Sequence, residues 1–163
     1  MVELRQTSKQ DAIWATLQSV MDPEIPIVSV CDLGIVRDVY DDKVVITPTY
    51  SGCPATEVIG MDIRLALDKA GFDEVAVTTS TSPPWTTDWI TKLGREKLTE
   101  AGIAPPVKSS QSKTTLFADK PVVSCPICKS DDTILVSQFG STACKALYKC
   151  GTCLEPFDYF KCI

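Results

Sequence analysis

The feature that most constrains this chain is a pair of CxxC turns, Cys125-Pro126-Ile127-Cys128 and Cys150-Gly151-Thr152-Cys153, with 21 residues between them. Each turn projects two sulfurs to one side, and a hairpin joining the turns brings four sulfurs into a tetrahedron that suits one zinc ion. Strand-like runs, Thr133-Ile134-Leu135-Val136 and Ala146-Leu147-Tyr148, occupy the interval. The spacing therefore predicts an all-β zinc ribbon over residues 121–163, with Cys125, Cys128, Cys150 and Cys153 as ligands to one structural zinc. A segment of about 40 residues has too little core to fold unaided, so metal binding would supply most of its folding free energy, about 10–16 kcal/mol by comparison with zinc-finger peptides. The four thiolates and the cation sum to a charge of about −2, which Lys129, Lys145 and Lys149 are placed in sequence to offset. The same ligands would also suit an iron–sulfur centre, or stand as free thiols in a small core; ribbon spacing favours zinc.

The remaining composition limits what else the chain can do. It has 163 residues, eight cysteines and no histidine. The first number allows one ordinary domain and a small module. The last removes the commonest general base and the commonest nitrogen ligand, so any metal site must use sulfur or oxygen and no Ser-His-Asp or Cys-His set can form. A glycine-rich phosphate loop and a dinucleotide fingerprint are also missing from the sequence, and a non-catalytic role is expected. The polar start at Met1–Gln6 carries no export pattern and no apolar run approaches a membrane span, so a cytoplasmic location is expected, where closely spaced cysteines serve as ligands or reactive thiols.

The net charge of −5 argues against nucleic acid as a partner. By count, residues 1–106 carry 9 basic and 16 acidic side chains and residues 121–163 carry 4 of each, so the acidity belongs to the first part.

Along the chain, Ile13, Trp14, Leu17, Val20 and Met21 predict a helix over 9–21, stopped by Asp22-Pro23. Gly34–Tyr40 and Lys43–Thr47 read as a hairpin turning at Asp41-Asp42. Ala55–Ala70 is a second helix, ended by Gly71, and Glu74–Thr79 is a third strand. Thr86 or Thr87 caps a third helix running to about Ala101. The polar stretch 107–120 reads as a flexible linker. The expected architecture is α+β: a helix/hairpin/helix/strand/helix domain over 1–106, the linker over 107–120, and the ribbon over 121–163.

Cys53 precedes Pro54, a residue favoured at the first helical position, so its sulfur is expected at the cap of the second helix. Orphan amides and the positive helix end there favour a thiolate, which makes Cys53 a candidate reactive thiol or transient metal ligand; a buried cap cysteine is the plainer reading. Asp22, Glu24 and Asp32 lie in loops that could bring oxygen donors to it, and serve equally as helix-stop and turn residues. Cys31 reads as core, and Cys144 and Cys162 as packing sulfurs with ligation left open.

Asp22-Pro23-Glu24-Ile25-Pro26, Asp32-Leu33-Gly34-Ile35-Val36 and Tyr50-Ser51-Gly52-Cys53-Pro54, in this order of elements, resemble the SufT-like family of iron–sulfur assembly factors over about residues 8–105. Pro83-Pro84-Trp85-Thr86-Thr87-Asp88-Trp89-Ile90, Gly94-Arg95, Gly102-Ile103-Ala104-Pro105-Pro106, Phe139–Ala146 and Glu155-Pro156-Phe157 are similar to its PaaD branch, from bacterial phenylacetate catabolism. The resemblance implies an accessory subunit of a phenylacetyl-CoA epoxidase system whose partners are the oxygenase or reductase subunits. It implies Cys53 as the reactive cysteine, with Asp22, Glu24 and Asp32 as its acidic loop residues, handling iron or an iron–sulfur cluster transiently. A structural adaptor that binds an epoxidase subunit without handling metal is the alternative, a thiol oxidoreductase using a CxxC pair the third reading. Homodimerisation is left open.

Overall fold

The structure, a computed structural model, describes residues 8–50, 52–107 and 122–161. The expected linker, 107–120, lies outside the described residues except for Val107. The α+β expectation is borne out.

Helix α1 (Lys9–Leu17) starts at a capping box, in which Ser8 Oγ accepts from the Asp11 amide and the Asp11 carboxylate accepts from the Ser8 amide. It buries Ile13 and Leu17. It ends four residues before the expected Met21. The amides of Ser19 and Val20 reach back only three residues, to Thr16 and Leu17, so the last turn tightens. The chain then closes a loop in which the Asp22 amide donates to Val28 O and the Val30 amide donates to Val20 O, both at 2.9 Å.

Strands β1 (Val36–Val39) and β2 (Lys43–Ile46) form the expected antiparallel hairpin, closed by the Tyr40 amide on Lys43 O at 2.8 Å. Helix α2 (Ala55–Lys69) crosses over to β3 (Ala76–Thr79), which pairs parallel to β2 and gives the order β1-β2-β3. Ile59, Ile63 and Leu67, at helical spacing, are buried, as are Val44 and Ile46 on β2. Gly71, at φ 83°, stops α2: its amide bonds Asp68 O while Phe72 N bonds Leu67 O, an arrangement that needs a left-handed residue. Arg64 then ties the helix to the segment leading into β3, donating to Phe72 O at 2.8 Å and to Val75 O and pairing with Asp68 at 2.7 Å.

The chain forms two compact units whose boundary falls ahead of the third helix. Residues up to Trp85 form one compact unit and those from Thr86 onward another, so the third helix groups with the ribbon and not with the first domain. Here a 3-10 turn (Thr87–Trp89) is broken from α3 (Lys92–Glu100) by the extended Ile90, and Thr91, not Thr86 or Thr87, caps α3 through its Oγ1 on the Gly94 amide. The reason for the grouping is β4 (Ile103–Ala104), a two-residue strand that pairs parallel with β7 (Pro156–Phe160). With β5 (Thr133–Ser137) and β6 (Lys145–Cys150) it makes a four-stranded sheet of order β4-β7-β6-β5. Ala104 packs into the same core as Val123, Cys125, Tyr148, Phe157 and Tyr159. Arg95 fastens α3 by donating to Thr87 O and Pro106 O, each at 2.6 Å.

Gly60 lies inside α2, and a Cβ added there would meet no atom within 4 Å. Gly60→Ala is expected to raise the unfolding free energy of the first unit by about 0.5–1 kcal/mol, measured by urea denaturation followed by circular dichroism.

Candidate metal centre

The two CxxC turns are built alike. In each, the amide of the first cysteine bonds the carbonyl five residues on: Cys125 to Ser130 at 2.8 Å and Cys150 to Glu155 at 3.0 Å. In each, the residue after the second cysteine takes a left-handed conformation, Lys129 at φ 64° and Leu154 at φ 66°. Closing both turns this way points their sulfurs at a common centre. The Cys125 and Cys153 sulfurs are 3.8 Å apart, those of Cys128 and Cys150 3.5 Å, and all four lie within 4.8 Å of one another.

These separations are too long for a disulfide, in which sulfurs are bonded at about 2.05 Å. They fit four thiolates around one ion: a regular tetrahedron with bonds of about 2.3 Å has sulfur–sulfur edges of about 3.8 Å. A single zinc ion suits that donor set, and a four-iron cluster, with each thiolate on a separate iron, would hold the sulfurs further apart. The backbone contributes to the electrostatics. The Cys153 amide, 3.4 Å from Cys150 Sγ, and then the Thr152 amide draw the Cys150 thiol down from its ordinary range. Of the three lysines expected near the site, Lys129 braces the first turn by donating to Pro126 O at 2.6 Å. Lys145 is instead buried at the start of β6 against Asp158, 3.8 Å away, and Lys149 points from β6 to solvent.

Sequence reasoning passed over the contacts that join the two turns. Ser130 Oγ and Thr152 Oγ1 are 2.7 Å apart, and the Gly151 amide donates to Asp132 O at 2.7 Å. A Cβ on Gly151 would lie 2.2 Å from Asp132 Oδ2 and 2.6 Å from its Cγ, so this position admits only glycine without rearrangement. A glycine directly inside the second CxxC was the available signal.

In the first unit the candidate residues have other partners. Asp22 and Asp32 are buried. Asp22 Oδ1 accepts from the amides of Glu24 at 2.9 Å and Ile25 at 2.8 Å, while Asp32 Oδ2 accepts from the Ser29 amide and Ser29 Oγ from the Asp32 amide, both at 3.0 Å. These carboxylates satisfy the backbone of a loop in which Pro23 and Pro26 supply no donors. Glu24 and Cys53 are half-buried. Pro54, not Cys53, occupies the N-cap of α2, and among the described residues no side chain caps that end; Cys53 stands one residue earlier, its carbonyl accepting from the Thr56 amide at 3.1 Å. Among the described residues, Cys53, Asp22, Glu24 and Asp32 do not bring three ligand atoms within 4.8 Å of one another. Burial, and then the neighbouring Asp32 charge, push the Cys31 thiol up to about 12, and Cys144 is buried with its sulfur 3.1 Å from Thr142 Oγ1. Cys162 lies outside the described residues.

Comparison with known proteins places both parts. Residues 10–78 match the family described as iron–sulfur cluster assembly protein, and residues 109–161 match the PaaD zinc beta ribbon domain. The crystal structure of a domain of unknown function, DUF59, from Bacillus anthracis is similar at a TM-score of 0.50 and 27% identity, covering 55% of this chain and 91% of that one. A conserved hypothetical protein from Thermotoga maritima is 32% identical, with a TM-score of 0.46, covering 56% of this chain and 93% of that one. Fold and site thus define an assembly-type α+β domain carrying a metal-binding zinc ribbon. An Escherichia coli (strain K12) protein provisionally named as a subunit of 1,2-phenylacetyl-CoA epoxidase is 51% identical over 155 residues, covering 93% of this chain and 92% of that protein. The chain belongs to this PaaD family. Among its described residues, no helix is long and apolar enough to cross a membrane.

Cys128→Ser is expected to abolish stoichiometric zinc, read by elemental analysis, and to flatten the ribbon's thermal transition. Gly151→Ala should keep stoichiometric zinc, because the exposed Asp132 side chain can turn away from the added Cβ, with a stability change within about 0.5 kcal/mol read by thermal denaturation.

Proposed function

We propose that this protein is a non-catalytic accessory factor of aerobic phenylacetate degradation, acting in the cytoplasm to assist iron or iron–sulfur maturation of a phenylacetyl-CoA epoxidase. The observation that carries the reading is the near full-length similarity to an epoxidase subunit in a chain whose first unit matches an iron–sulfur assembly family. The composition agrees with it: a chain without histidine is poorly equipped for acid–base turnover but can hold a soft or borderline metal through sulfur.

In this reading the two sulfur sites have different tasks. Cys125, Cys128, Cys150 and Cys153 hold one zinc permanently and keep the ribbon folded as the part that docks an oxygenase or reductase subunit. The half-buried Cys53 binds iron or a cluster through one thiolate, and Asp22, Glu24 and Asp32 are the acidic loop residues that accompany it in this reading. One protein ligand holds cargo weakly, and the remaining coordination positions come from the acceptor, which favours handover over retention.

A second reading, that the chain is a structural adaptor which handles no metal beyond its zinc, is favoured by one observation. The Asp22 and Asp32 carboxylates are already engaged by backbone amides. Elemental analysis after anaerobic co-expression with the epoxidase subunits separates the two. For delivery, Cys53→Ser is expected to keep one zinc per chain and an unchanged circular dichroism spectrum while the acceptor's iron content falls several-fold. Unchanged acceptor iron would leave the adaptor.

A further inference from the structure

The outward face of α2 is inverted relative to an ordinary surface helix. Its buried stripe, Ile59, Ile63 and Leu67, faces the core of the first unit. The opposite stripe, most open to solvent, carries Val58, Met61 and Leu65 at 45%, 65% and 54% exposure, while the polar Asp62 and Arg64 sit half-buried on the flanks. A helix facing only water puts charge on that line. Three large apolar side chains at i, i+3 and i+7 instead make a ridge of the kind that packs against another helix.

The ends of this stripe say which helix fits. Glu57 lies in the first turn and Lys69 in the last. Neither makes an ion pair with another described residue, whereas the intervening Asp68 is taken by Arg64. A second α2 laid antiparallel, with its two-fold axis at the level of Ile63, sets Met61 of one copy beside Leu65 of the other and repeats that contact by symmetry. The same axis places Glu57 opposite Lys69 of the second copy, again twice. Shifting the register by one turn, or running the helices parallel, loses one or both matches.

We propose that this face of α2 is a homodimer contact, in which two copies pack antiparallel through Val58, Met61 and Leu65 and are held in register by two Glu57–Lys69 ion pairs. Such a self-complementary patch is what a two-fold interface requires. A single helix per copy is a small contact, so the dimer is weak, with a dissociation constant on the order of 10 μM.

Sedimentation velocity on the full-length protein, at concentrations spanning that value, tests it. The wild type is expected to pass from monomer to dimer, and Met61→Glu to stay monomeric throughout. Glu57→Lys and Lys69→Glu are each expected to weaken the dimer about tenfold by turning two attractions into repulsions, and the double variant to recover most of that loss. All these side chains are exposed, and circular dichroism checks that each variant is folded. A wild type that is monomeric at every concentration overturns the proposal, including one that uses Met61 to bind an epoxidase subunit instead. A dimer that survives Met61→Glu overturns it, as does a charge swap that fails to rescue.

Discussion

Four sulfurs within 4.8 Å of one another constitute the constraint on which the second unit depends. Four thiolates crowded this closely repel unless a cation sits among them, and the surrounding core, though it includes two aromatic contacts of Tyr148 with Phe157 and Tyr159 at 5.9 and 5.6 Å, is small. An ion held there therefore acts as the largest single element of that core. Two backbone devices make its cage: an amide-to-carbonyl closure across five residues and a left-handed residue after the second cysteine, each used once per turn. Neither device depends on a particular side chain, which explains why Lys129 and Leu154 can occupy positions where a glycine would relieve strain.

The first unit answers a different problem, that of a loop between α1 and β1 interrupted by two prolines. Its amides are gathered by short carboxylate side chains in place of a ladder, and those carboxylates are buried as a result. Acidity that looks from composition like a surface property is thus partly interior and structural. Cys53 stands outside this arrangement. It lies beyond the hairpin in sequence, ahead of a helix whose N-cap is a proline, in a position set by backbone geometry.

Much of this was legible in the residues. The ribbon ligands follow from spacing alone, and α2, β1, β2 and β3 follow from periodicity and from the turn residues that bound them. What was missed had weaker local signals and stronger tertiary ones. The apolar spacing through Val20 and Met21 suggested helix, yet Val20 buries itself in a loop closed by its bond to Val30, and Met21 bridges to Ser29. Ile103-Ala104 is too short to read as a strand and acquires that identity only from β7. Strand β7 itself, with Phe157 and Tyr159 alternating inward, was readable but lay in the shadow of the second CxxC. The carboxylates of Asp22 and Asp32 could be read as ligands or turn formers, and only the positions of the surrounding amides show how they are used.

The short pairing of β4 with β7 has a consequence for how the molecule can be divided. A fragment begun after the proline pair at 105–106, where composition changes, would strip an edge from the sheet and open one wall of the interior that Ala104 fills. A piece that keeps the whole sheet must therefore start upstream of Ile103, and the helix that leads into that edge belongs to the same compact unit. Loss of the ion should thus be felt well before Cys125 in the chain, because the stretch that leads into the ribbon is one of its walls.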